Sequence, residues 1–134
     1  MNYWLVKSEP FKYSWDDLVK DKRTYWDGVR NYGARNFLKQ MKKGDFVLYY
    51  HSNEGLEVVG YAKVIKEHYQ DPTTDDDRWV AVDIEPVKAF SKFVTLKEIK
   101  SDPKLQDIKL IRQSRLSVMP VSKIEFDHIV SLGN

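Results

Sequence analysis

Three strand-like runs follow one another in the middle of the chain, Asp45 to His51, Glu57 to Tyr69 and Arg78 to Val87, and they constrain the fold more than any other feature. In the third, Val80, Val82 and Ile84 alternate with Ala81, Asp83 and Glu85, the period of a half-buried strand. The first two are apolar on both faces in places, which suits a curved sheet with helices packed outside it. Ser52-Asn53-Glu54-Gly55 has the turn chemistry of a hairpin between them. The acidic run Asp71 to Asp77 reads as a solvated loop that says little about ligands.

Other elements flank this block. Tyr3 to Lys7 is aromatic and β-branched enough for a strand ending near Ser8, and Pro10 then removes a backbone donor. Ser14 with Asp17 resembles a capping box and predicts a short helix to about Lys20. From Asn31 a second helix is expected, because Ala34, Phe37, Leu38 and Met41 form one apolar stripe; Lys42 and Lys43 suit its C-terminal dipole and Gly44 its C′ position. Thr95 with Glu98 and Ser122 with Glu125 are capping boxes for two later helices, each with a hydrophobic staple, Val94 to Ile99 and Val121 to Phe126. Arg115 to Val121 can form a closing strand. The order β-α-α-β-β-β-α-β-α, without repeat or linker, predicts one α+β domain over residues 1–134, a curled sheet or small β-barrel with peripheral helices.

Composition narrows the function classes. Twenty-two basic and 20 acidic residues leave a formal charge of only +2, which argues against binding nucleic acid chiefly by neutralising many phosphates. Aromatic residues reach 13%, more than a small core needs, so some rings are available for stacking. Without cysteine there is no disulfide and no cysteine-based zinc or redox site. Apolar stretches such as Phe46 to Tyr50 are too short to span a bilayer, and the N-terminus lacks the order of a secretion signal, so a cytoplasmic protein is expected. The chain has no phosphate-binding glycine loop, no Gly-x-Ser-x-Gly, no His-Glu-x-x-His and no dinucleotide fingerprint. His51, His68 and His128 show no ligand spacing, so neither a metal nor a cofactor is expected.

Four segments concentrate chemistry, and each carries two readings. Lys7-Ser8-Glu9-Pro10 is either an ordinary strand end or a set of polar groups at a pocket mouth. In Tyr25-Trp26-Asp27-Gly28-Val29-Arg30-Asn31-Tyr32, continuing to Arg35 and Asn36, Trp26 offers a face for base stacking and Asn31 a donor and acceptor for a base edge. Equally, Trp26 is a core plug and Asn31 a helix cap. In Tyr49-Tyr50-His51-Ser52, alternation puts Tyr49 and His51 on one face and Tyr50 on the other, so one tyrosine is expected in the core and one face at a pocket. Arg112 to Pro120 sets two arginines, Gln113, Ser114 and Ser117 before an apolar strand, where guanidinium groups can hold phosphate or the segment is a solvated loop.

Taken together and in order, these motifs resemble the EVE domain family: Tyr3 to Pro10, Trp26 to Asn31 with Ala34-Arg35-Asn36, Tyr50-His51-Ser52, and Arg112 to Pro120. The resemblance implies a PUA-like fold, a β-barrel flanked by helices and related to domains that read methylated adenine in RNA. It implies a pocket for a flipped modified base, in DNA or RNA, with modified cytosine one proposed ligand. Trp26 matches the family's pocket tryptophan; Lys7, Ser8, Asn31, His51 and Ser117, with Leu116 beside it, are the expected base-binding set. Arg30, Arg35, Arg112 and Arg115 are the expected phosphate contacts. The expected function is thus non-enzymatic binding of nucleic acid. Two other classes compete: an enzyme acting on modified nucleotides, with His51 as base and Glu9 or Asp27 as partner, and an adaptor that binds a small molecule or protein tail.

Overall fold

A computed structural model describes residues 1–134. Six strands form one mixed sheet in the order β2-β5-β4-β3-β1-β6, where β1 is Tyr3–Ser8, β2 Thr24–Trp26, β3 Phe46–His51, β4 Glu57–Gln70, β5 Val80–Thr95 and β6 Val118–Val121. Strands β1 and β3 are parallel, with Ser8 beside His51, and all other pairs are antiparallel. The edges β2 and β6 do not pair, so of the two expected forms the sheet is the curled and open one, not a closed barrel. Its curl is built into the long β4–β5 ribbon, whose register shifts four times between Val58 and Tyr69, because each bulge bends and twists the strands that carry it.

Five helices, α1 (Trp15–Asp21), α2 (Tyr32–Gln40), α3 (Leu96–Ser101), α4 (Lys109–Arg112) and α5 (Lys123–Gly133), cover the sheet on both faces. One core joins Trp4, Val6, Val47 and Tyr49 to Leu18 of α1 and Ala34 and Leu38 of α2. The other joins Leu5, Leu48, Tyr50 and Val58 to Ile99, Leu110, Phe126 and Ile129 of the later helices. Double coverage accounts for the central runs that are apolar on both faces, and it corrects the reading of the paired tyrosines. Tyr49 and Tyr50 are both buried, one in each core.

All three capping boxes form, at Ser14, Thr95 and Ser122, since each needs only groups three residues apart. Elsewhere local signals fall short. Helix α2 stops at Gln40, and Gly44 (φ +95°) serves instead the turn from Lys42 to Asp45, where its N–H donates to the Val64 carbonyl. Strand β5 runs on through Pro86 to Thr95 although most residues of its second half are exposed. The proline sits opposite Ala62 at a register shift, where a missing donor is tolerated, and α5 covers Phe90 farther along. Tyr25 and Trp26, expected in a loop, belong to the short edge strand β2, and the closing strand begins only at Val118.

Candidate base-binding cleft

The largest cleft, about 1500 Å3, opens where β1 ends and curling brings segments beside the two sheet edges together. One wall runs from Trp26, the last residue of β2, through the loop to Asn31; the other is Ser114–Ser117 before β6; Lys7 and Ser8 of β1 and Tyr50 of β3 lie between. The start of α2 lies against the second wall, since a Cβ added at Gly33 would sit 3.3 Å from Leu116. Of the expected residues the fold assembles Lys7, Ser8, Trp26, Arg30, Asn31, Arg115, Leu116 and Ser117 on this cleft.

Their side chains are not equally free. Trp26 is only 9% exposed and meets Tyr49 edge to face at 5.5 Å, so it is a core residue whose small uncovered remainder faces the cleft. Asn31 caps α2, accepting the Ala34 N–H at 3.0 Å, which leaves its amide NH2 unpaired. The Ser8 hydroxyl donates to the Tyr13 carbonyl at 2.6 Å, as Tyr49 does at 2.9 Å. Lys7 reaches across the cleft to the Ser114 carbonyl at 2.6 Å, and partial burial lowers its pKa. Arg115 is exposed and makes no hydrogen bond or ion pair, and the Ser117 hydroxyl is also unused.

Three expected residues lie elsewhere. His51 is beside Tyr49 and its Nε2 accepts the Trp15 backbone N–H at 3.0 Å; burial lowers its pKa despite the opposing charges of Glu57 and Asp16, so its ring is a neutral structural acceptor. Arg35 lies over the Tyr32 ring, 4.9 Å from its centroid, and bonds Asn36, because α2 turns it outward. Arg112 is bonded to the Gln106 carbonyl at 2.9 Å. No histidine lines the cleft.

The loop that follows Trp26 is held by a residue read from the sequence as solvated. Asp71 is fully buried; its Oδ2 accepts the Gly28 N–H at 2.8 Å and the Arg30 guanidinium at 2.9 Å, while Oδ1 accepts the Thr73 N–H at 2.7 Å. Burial alone would raise its pKa, but the hydrogen bonds from Thr73, Arg30 and Gly28 overcome it and hold the carboxyl at about 2. Gly28 takes φ +74°, a left-handed conformation that favours glycine. The Asp-Pro-Thr sequence at 71–73 was the available local signal, since Asp commonly binds the backbone two residues on. Its second set of partners, 43 residues away, had none. A matching anchor, Asp45, accepts the Trp4 indole N–H at 3.0 Å and the Lys42 N–H at 2.9 Å.

No three His, Asp or Glu side chains are grouped to hold a metal ion, and no helix is long and apolar enough to cross a membrane. An open mixed sheet covered on both faces, with its largest cleft between the segments beside its edges, defines an α+β domain with one dominant cleft. The EVE domain family's model matches residues 2–132, and the chain belongs to that family. Mouse thymocyte nuclear protein 1 is 39% identical over 98% of this chain and 73% of its own length. Protein Atu2648 of Agrobacterium tumefaciens is 44% identical, with a TM-score of 0.97 over 100% of this chain and 94% of its own. Human THYN1, solved in complex with DNA containing 5-methylcytosine, is 35% identical with a TM-score of 0.91 over 100% of this chain and 98% of its own.

Proposed function

We propose that this chain is a non-enzymatic reader that takes an extruded modified base, foremost a methylated cytosine of DNA, into the cleft between the Trp26 loop and Ser114–Ser117. One observation carries the reading: a relative of the same fold over the whole chain binds DNA containing 5-methylcytosine. The cleft supports it chemically. Extrusion costs a few kcal/mol, which contacts inside must recover. The uncovered edge of Trp26 supplies apolar contact, and the Asn31 amide and Ser117 hydroxyl are unpaired groups for a base edge. Arg115 is the free cation for a flanking phosphate; Arg30 is largely neutralised by Asp71. With Arg115 free and Lys7 and Arg30 already engaged within the protein, the salt dependence of log K should be shallow, with a slope no steeper than about −3. His51 is committed to Trp15 and lies outside the cleft, which counts against it as a catalytic base.

The test is fluorescence polarisation with short oligonucleotides, DNA and RNA, identical except for one cytosine, 5-methylcytosine or other modified base. Tighter binding to 5-methylcytosine DNA is expected. Arg115→Ala should weaken all sequences and flatten the salt slope by about one, whereas Arg35→Ala, outside the cleft, should change little. Equal, weak binding of every oligonucleotide by the wild type would overturn the reading; preference for RNA would move it to that nucleic acid.

A further inference from the structure

Four carboxylates line the cleft, Glu9, Asp21, Asp27 and Asp83, and three are engaged. Glu9 pairs with Lys12 at 3.2 Å, Asp21 accepts the Tyr13 hydroxyl at 2.9 Å, and Asp83 holds Arg23 at 2.8 Å and the Tyr69 hydroxyl. Asp27 is different. It forms no ion pair and no hydrogen bond to another residue. Its nearest cation in sequence, Arg30, is held by Asp71. Burial and then the negative charge of Asp71 raise the Asp27 pKa, with Arg30 opposing only in part. A half-buried carboxylate without a partner is a costly arrangement that a donor on a ligand would relieve.

The inference rests on the base-reader proposal and concerns how such a site rejects its most abundant competitor. Thymine and 5-methylcytosine share the C5 methyl group, so a site that reads only the methyl binds both. They differ at position 4, where cytosine presents an amino donor and thymine a carbonyl acceptor. The Asn31 amide, the Ser117 hydroxyl, Lys7 and Arg115 can all donate, and so tolerate the thymine O4. An ionised carboxylate only accepts. We propose that Asp27 is the specificity-determining residue of the cleft, accepting a hydrogen bond from the 4-amino group of an extruded cytosine and repelling the thymine O4.

The experiment uses the full chain and fluorescent duplexes with cytosine, 5-methylcytosine or thymine at one position opposite an abasic site, so that pairing strength does not enter. The wild type should prefer 5-methylcytosine to thymine by about tenfold or more, the discrimination typical of one well-placed base contact. Asp27→Asn, whose amide can donate to O4, should compress that preference to about threefold or less while leaving the ratio of 5-methylcytosine to cytosine unchanged. Asp27→Ser, with a hydroxyl that both donates and accepts, should behave alike, and Asp27→Glu should retain the preference. Thermal melts of each variant report folding. An unchanged preference in the folded Asn and Ser variants overturns the role of Asp27 alone; a wild type that binds all three duplexes equally overturns the base-reader proposal with it.

Discussion

Replacing Asp71 by Asn keeps the shape of the buried anchor beneath the Trp26 loop and removes its charge. The carboxylate accepts from Gly28, Arg30 and twice from Thr73. An amide has one oxygen, so in either orientation two donors face an NH2 group. Net contributions of about 1.5–3 kcal/mol for each hydrogen bond to a charged group put the loss near 3 kcal/mol or more, reduced because Arg30 is 41% exposed and can rehydrate. The same hydrogen bonds are expressed in the titration of the group. A carboxyl pKa lowered from 3.8 to about 2 stabilises the folded state by about 2 kcal/mol at neutral pH. Since the folded value lies below the unfolded one, this contribution is complete above pH 3.8 and lost as pH falls towards 2. Urea unfolding followed by tryptophan fluorescence should show Asp71→Asn less stable by about 2–3 kcal/mol at pH 7, a fall in Tm of roughly 6–12 °C for a chain of this length. The charge-dependent part of the difference should shrink to a few tenths of a kcal/mol at about pH 2. A difference below about 0.5 kcal/mol at pH 7, the size of an ordinary surface substitution, or one that does not vary with pH, would refute the anchor.

Three further outcomes are expected. Gly60→Ala should destabilise by about 1–3 kcal/mol in urea unfolding, because its Cβ would lie 2.6 Å from the Lys88 carbonyl oxygen and 2.9 Å from Trp15 Cζ2. Trp26→Ala should cost about 3–5 kcal/mol in the same assay, as a buried aromatic does, whereas Trp26→Phe should lose less and permit binding measurements on folded protein. Burial lowers the His51 pKa below its ordinary 6.5, so the folded state resists its protonation and the wild type should lose stability as pH falls below that value. Thermal melts at pH 7.5 and 5 should therefore show a smaller drop in His51→Gln, which can accept the Trp15 N–H without titrating.

The solved chain of human THYN1 and this chain share one fold at 35% identity, so the open sheet is compatible with wide sequence change. Arg35 and Arg112 satisfy themselves on the protein surface. Arg115 does not.

Local physics carried much of the architecture in the residues themselves. Capping boxes at Ser14, Thr95 and Ser122, the hairpin before Glu57 and the alternation of β5 each depend on groups a few residues apart, so they were legible without tertiary contacts. The motifs also gathered most of the cleft-lining residues in advance. Long-range contacts decided what each residue is free to do. Trp26 is mostly buried because Tyr49 packs on it, His51 leaves the cleft because the Trp15 N–H binds it, and Asp71 is an anchor because Gly28 and Arg30 meet it 43 and 41 residues away. By taking Arg30, that anchor leaves Asp27 alone in the cleft wall. No pattern along the chain encodes such pairings, because they arise only when the curl of the sheet brings the loops beside its strands together.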